Sequence, residues 1–193
     1  MSLFFETVKI ENGEIQNTHF HNARLNRTIR QNFSLCTNYD IRDYITPPRE
    51  KGIFRCKIIY NSEVHEVTLT PYQKRAYQSF RCIDADIDYP YKSTDRSALD
   101  RLFALRGKCD DIIIIRDGLL TDTSIANIAL FDGLYWYTPE KPLLEGTLRA
   151  SLLTDNRIKT KNLDRKSLQK CTKFAIMNAM TGFYQLKDIT FSF

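Results

Sequence analysis

The stretch DDIIIIRDGLLTDTSIANIALFDG, residues 110–133, decides how the chain is read. Four consecutive isoleucines, Ile112 to Ile115, read as a buried strand. Arg116-Asp117-Gly118 then makes a tight turn, because glycine takes positive φ without strain. The chain returns through Leu119 to Ser124, and a second apolar run, residues 125–131, ends at Asp132-Gly133. An acid, two hydroxyls and an amide stand inside this apolar frame: Asp122, Thr123, Ser124 and Asn127. Small polar residues so placed are either turn chemistry or the lining of a site. The neighbouring segments, with Lys92 before and LLEGTLR (residues 143–149) after, favour the site.

The chain has 193 residues, enough for one large domain or two small ones with a real core. With 42% hydrophobic and 26% charged residues, the composition is that of a globular protein. The net charge of +5 admits an anionic ligand, but the basic residues are interleaved with acids, so nucleic-acid binding is not expected. Five cysteines, widely spaced and never in a CxxC pair, argue against a disulfide framework or zinc ribbon and for a reducing compartment. Three histidines are too few for a convincing metal site, and none is expected. No apolar run has the length of a membrane span, and the N-terminus lacks a signal-peptide core. A cytoplasmic protein with a small-molecule substrate, and no membrane partner, is the expectation.

Taken in order, residues 3–10 read as a strand and residues 11–14 as an Asn-Gly hairpin turn into a short partner. From Phe20 the spacing is helical, with Phe20, Ala23, Leu25, Ile29 and Phe33 on or near one face and Arg24 among the charges. Residues 53–60 and 64–71 form a hairpin, followed by a third alternating run over 76–83. An acidic, loop-like stretch ending Tyr89-Pro90-Tyr91 marks a boundary, giving a small N-terminal α+β domain (1–88) and a larger β-rich C-terminal domain (89–193). In the second domain, helices are predicted over 93–106, 146–154 and 167–170, and strands over 112–115, 125–131, 134–137, 158–163 and 171–178. An edge strand is predicted over 189–193.

Each polar candidate has a plain alternative. Lys92 is a surface lysine, or a lysine whose pKa falls by desolvation between domains so that it becomes a Schiff-base nucleophile. Asp122 is a turn residue, or a carboxylate that keeps a pyridine nitrogen protonated and the ring an electron sink. Gly146 opens a helix with no ligand, or lets a phosphate approach the exposed N–H groups at the helix start. Arg24, taken alone, reads as a solvated charge. Arg55 alternates with Phe54 and Cys56, so it points to the opposite face, either exposed or as a carboxylate clamp. A lysine, a carboxylate, a helix N-terminus and an arginine are together the parts a pyridoxal phosphate site needs.

The sequence resembles the class IV aminotransferase family, the fold-type IV pyridoxal-phosphate enzymes. The resemblance rests on Phe5-Glu6-Thr7, His21-x-x-Arg24-Leu25, Lys92-x-x-Asp95-Arg96 and Gly118-x-x-Thr121-Asp122-Thr123-Ser124-x-x-Asn127. It continues through Tyr137-Thr138-Pro139, Leu144-x-Gly146-x-x-Arg149 and Ile176-x-Asn178-Ala179. It implies a two-domain α+β fold with pyridoxal 5'-phosphate at the domain interface, and a homodimer. It further implies that Lys92 binds the cofactor covalently and shuttles protons, and that Asp122 faces the pyridine nitrogen where the family usually carries glutamate. Arg24 and the backbone N–H groups of Thr147 and Leu148 would hold the phosphate. Asn178 would lie in the loop approaching the cofactor, and Arg55 would face the substrate carboxylate. The implied reaction is that of an aminodeoxychorismate lyase, releasing 4-aminobenzoate and pyruvate for folate synthesis. A transaminase of branched-chain or D-amino acids is the alternative. A third reading, a non-catalytic relative, is motivated by the shorter acid at Asp122 and the short N-terminal segment.

Overall fold

The computed structural model describes residues 2–193. The chain divides into two compact units. The first comprises the residues up to Lys74 together with Tyr91–Asp95; the second comprises Arg75–Pro90 and Arg96–Phe193. The division therefore differs from a single cut after residue 88. Residues 75–90 carry a strand that pairs with the isoleucine strand. Residues 91–95 return to the first unit, where Thr94 N donates to Leu3 O (2.9 Å) and Phe5 N to Lys92 O (2.8 Å).

The first unit holds an antiparallel sheet of β1 (Phe4–Glu11), β2 (Glu14–Ile15), β3 (Ile53–Tyr60) and β4 (Val64–Pro71), in the order β2-β1-β3-β4. The β1–β2 turn places both Asn12 (φ 52°) and Gly13 (φ 85°) in the left-handed region, as a two-residue hairpin turn requires. Along β1, burial alternates strictly, so Phe4, Glu6, Val8 and Ile10 share the inner face. Phe4, Val8 and Ile10 pack with Phe54, Cys56, Ile58 and Tyr60 of β3 and with Leu25 and Ile29 of the helix α1 (Thr18–Phe33). Burying these apolar side chains is the main stabilising term of the unit, at about 2 kcal/mol each. The helix differs from its expected face in one respect. His21, Arg24 and Thr28 lie inward with Leu25 and Ile29, whereas Ala23 is exposed.

The second unit is built on a nine-stranded sheet. It contains β5 (Ser79–Asp84), β6 (Asp111–Arg116), β7 (Leu119–Thr123), β8 (Asn127–Phe131), β9 (Trp136–Pro139) and β10 (Lys159–Lys161). β11 (Lys173–Asn178), β12 (Gly182–Leu186) and β13 (Thr190–Ser192) complete it. β6 is buried on both faces as its four isoleucines demand. Ile113 and Ile115 join Phe80, Leu120, Ile128 and Phe174 on one side, and Ile112 and Ile114 pack with Leu99, Tyr89 and Leu143 on the other. The helices are α2 (Ser97–Ala104), α3 (Thr147–Thr154) and α4 (Arg165–Lys170). α2 starts four residues later than residue 93 because Ser93 and Thr94 are bonded to the edge of β1. β10 is a short exposed remnant of the longer run expected there. β12, which the sequence does not announce, pairs with β11 through Phe174↔Leu186 to Asn178↔Gly182. Among the described residues, no helix is long and apolar enough to cross a membrane.

Candidate functional site

In the first unit, the motif residues Glu6, His21 and Arg24 come together in the interior. Glu6 lies on the inner face of β1 at 0% exposure, and its direct partner on β3 is the apolar Ile58. Its partners come from α1. Arg24 Nε donates to Glu6 Oε1 (2.8 Å) and Arg24 Nη2 to Oε2 (2.6 Å), a two-point clamp that fixes the guanidinium plane. His21 Nδ1 lies 2.6 Å from Oε2. A carboxylate can only accept, so Nδ1 carries the proton. Burial alone would raise the Glu6 pKa, but the Arg24 charge and the hydrogen bonds from His21 and Arg24 overcome it and hold it at about 2. Burial pushes the His21 pKa down and, with the Arg24 and Lys92 charges, outweighs the Glu6 hydrogen bond and charge that would raise it, so the imidazole is neutral at pH 7. Arg24 is thus buried and paired, not solvated.

Lys92 is half-buried in the returning segment, its Nζ 4.6 Å from the centroid of the Phe5 ring. Phe5 points away from Glu6, to the outer face of β1, by the alternation of the strand. Lys57 Nζ approaches the same ring at 5.3 Å. Arg55 is exposed opposite Phe54 and Cys56, paired in register with Lys9. It therefore shares the outer face with Phe5, and the structure does not bring it to Arg24.

In the second unit, Asp122 and Asn127 are direct partners across β7 and β8. Asn127 Nδ2 donates to Asp122 Oδ1 (2.8 Å) and to Leu144 O (2.8 Å), and Leu144 N donates to Asp122 Oδ2 (2.9 Å). The carboxyl is thus oriented by a strand and by the loop that enters α3. Burial raises its pKa to about 6, against the opposing effect of those hydrogen bonds and the Arg149 charge. The turn chemistry read from the sequence is also real, but it belongs to the next residue. Thr123 Oγ1 accepts from Ala126 N (3.0 Å) and Ile125 N (3.3 Å), closing the β7–β8 turn.

Gly146 caps α3 with extended backbone (φ −67°) and no side-chain cap, so glycine is needed there for space and not for its dihedral freedom. A Cβ at this position would lie 2.1 Å from Asn127 Oδ1. Gly146→Ala is therefore expected to displace Asn127 from Asp122 and Leu144, with a loss of about 1–3 kcal/mol in urea unfolding. An unchanged midpoint would mean that Asn127 moves aside freely. Thr147 is buried and Leu148 half-buried in the first turn of α3. Arg149, which the sequence marked only as a motif position, anchors the helix to β9, its Nη2 donating to Pro139 O (2.8 Å).

Asn178 ends β11, and its Oδ1 accepts from Met180 N (2.9 Å), Thr181 N (2.8 Å) and Thr181 Oγ1 (3.1 Å). Its side chain shapes the β11–β12 turn, while Nδ2 reaches Ile125 O at 3.4 Å.

The chemistry of these groups suits pyridoxal phosphate. A buried carboxyl held by two donors can partner a ring nitrogen, and a helix start without a side-chain cap, as at α3, is the kind of place where phosphate binds; the space at Gly146 itself is taken by the Asn127 side chain. Residues 64–189 match the amino-transferase class IV family. An uncharacterised protein of Haemophilus influenzae is 38% identical over 183 residues, covering 92% of this chain and 97% of its own. A crystal structure from Haemophilus somnus, provisionally named a 4-amino-4-deoxychorismate lyase, is 34% identical with a TM-score of 0.87, covering 94% of this chain and 98% of that one. A hypothetical aminotransferase from Mycobacterium tuberculosis, solved with pyridoxal phosphate bound, has the same fold (TM-score 0.79) at 15% identity, over 97% of this chain and 81% of that one. On the family match, with its motifs in the order and spacing described, the chain belongs to the class IV aminotransferases.

Proposed function

We propose that this protein is a pyridoxal-phosphate-dependent lyase that converts 4-amino-4-deoxychorismate into 4-aminobenzoate and pyruvate, a step of folate synthesis. The observation that carries the reading is the near full-length likeness to the Haemophilus somnus protein. The oriented, buried Asp122 supports it. When bound, the cofactor would supply an aldehyde carbon and an electron-withdrawing pyridinium ring. Lys92 Nζ provides the covalent attachment and carries protons to and from the substrate. Asp122 holds the proton on the ring nitrogen. Arg24 and the backbone N–H groups of Thr147 and Leu148 hold the phosphate. Arg55 takes a substrate carboxylate, and Asn178 acts by fixing the shape of the turn after β11. In the overall reaction, the ether C–O bond of the substrate breaks, its ring loses a proton and becomes aromatic, and the departing enol gains a proton to become pyruvate. The same reading includes a homodimer in the cytoplasm.

The test offers the purified, cofactor-loaded protein aminodeoxychorismate alone, and in parallel a branched-chain or D-amino acid with a keto acid. Equimolar 4-aminobenzoate and pyruvate are expected. Amino transfer to the keto acid without pyruvate release would replace the lyase by a transaminase. Neither activity in a folded, cofactor-binding sample would favour a non-catalytic relative.

A further inference from the structure

We infer that Glu6 is a positioning residue for phosphate recognition: it sets the plane of the Arg24 guanidinium from inside the core of the first unit. The inference rests on the proposed phosphate role of Arg24 and adds to it a residue that would touch neither cofactor nor substrate. Three observations carry it. Glu6 is fully buried between apolar strand neighbours, and both its oxygens are taken by α1, two bonds from Arg24 and one from His21. Arg24 is itself only 6% exposed, so its orientation is dictated by these bonds and not by solvent. Thirdly, fold stability alone does not explain a buried carboxylate–arginine–imidazole group, because well-packed apolar replacements of such groups are often neutral or stabilising. A rigid guanidinium presented in one orientation loses less entropy when it meets a phosphate. His21 completes the arrangement: its Nδ1–H occupies Oε2 from the side, so the carboxylate cannot rotate away from Arg24 without breaking a second bond.

The experiment measures dissociation constants for pyridoxal phosphate and for phosphate-free pyridoxal by absorbance, in the wild type, Glu6→Gln and Arg24→Lys. The quantity read is the pyridoxal constant divided by the pyridoxal phosphate constant, which isolates phosphate recognition from attachment at the aldehyde. Glu6→Gln is expected to weaken pyridoxal phosphate by about 10- to 100-fold, the scale for loss of an orienting partner, while pyridoxal binding holds. A purely structural role would move both ligands together. An unchanged ratio in Glu6→Gln, with a reduced ratio in Arg24→Lys, would overturn the positioning role while leaving Arg24 on the phosphate. An unchanged ratio in Arg24→Lys would remove the phosphate role of Arg24, and the inference with it. Should Glu6→Gln fail to fold, His21→Leu replaces it: it frees Oε2 on one side, and a several-fold fall in the ratio is expected. An unchanged ratio there overturns the proposal equally.

Discussion

Lys92→Ala is expected to lower turnover by at least about 1,000-fold, the scale for losing a group that both binds covalently and moves protons. It is also expected to abolish covalent trapping of pyridoxal phosphate by borohydride. The loss should be chemical and not structural. The segment around Lys92 is held by main-chain bonds, Phe5 N to Lys92 O and Thr94 N to Leu3 O, which alanine leaves in place. The side chain is half-buried, and its contact with the Phe5 ring is worth about 0.5–1 kcal/mol. Unfolding should therefore shift by about 1 kcal/mol or less. Peptide mapping after reduction discriminates further. Lys57 Nζ lies over the same ring from β3, so label on Lys57 in the wild type would transfer the covalent role to that strand. Label on Lys92 in the wild type, and none in the variant, fixes the assignment.

The elements whose formation depends on neighbours in sequence were legible before the structure. The four isoleucines fix β6, and Asn12-Gly13 and Asp117-Gly118 both adopt the left-handed pair that closes a tight hairpin. β3 and β4 have the bounds that their alternation predicts. What was not legible depends on partners far along the chain. Arg24 reads as solvated because nothing within a helical turn of it is acidic. Its carboxylate is Glu6, eighteen positions away on β1. Helical period likewise allowed Ala23 on the inner face, but once His21 and Arg24 turn inward to meet Glu6 the face rotates and Ala23 is exposed. Asp122 was identified by type, yet its surroundings are set by Leu144, twenty-two positions on. β12 carries no signal of its own, because Gly182-Phe183-Tyr184-Gln185-Leu186 is short and only its last residue is buried. Its strand character comes from pairing with β11.

Arg24→Met is expected to be the most destabilising single change in the first unit, at about 3–5 kcal/mol near neutral pH, because it leaves the Glu6 carboxylate buried without its cation. The pH dependence separates this mechanism from lost packing, for which methionine largely compensates. In the wild type, Glu6 is held at about 2 against an ordinary value of 4.5. A depressed carboxylate pKa contributes stability that is fully present above about 4.5 and is lost as the pH falls toward 2; the contribution is about 3 kcal/mol. His21 acts in the same sense, because its lowered pKa makes protonation in the folded state unfavourable below its ordinary 6.5. Without Arg24, one of the two cations that disfavour a protonated His21 is gone while the Glu6 charge stays, so an imidazolium forms beside Glu6 more readily as the solution is acidified, although burial still opposes it. Glu6 itself can take up a proton at a higher pH than in the wild type. Both changes relieve the variant and not the wild type. The stability difference between them, measured by urea unfolding, should be largest near pH 7 and shrink steadily toward pH 4. A difference that stays constant over that range would mean that Arg24 stabilises the unit through its hydrocarbon stem, with the Glu6 charge already satisfied elsewhere.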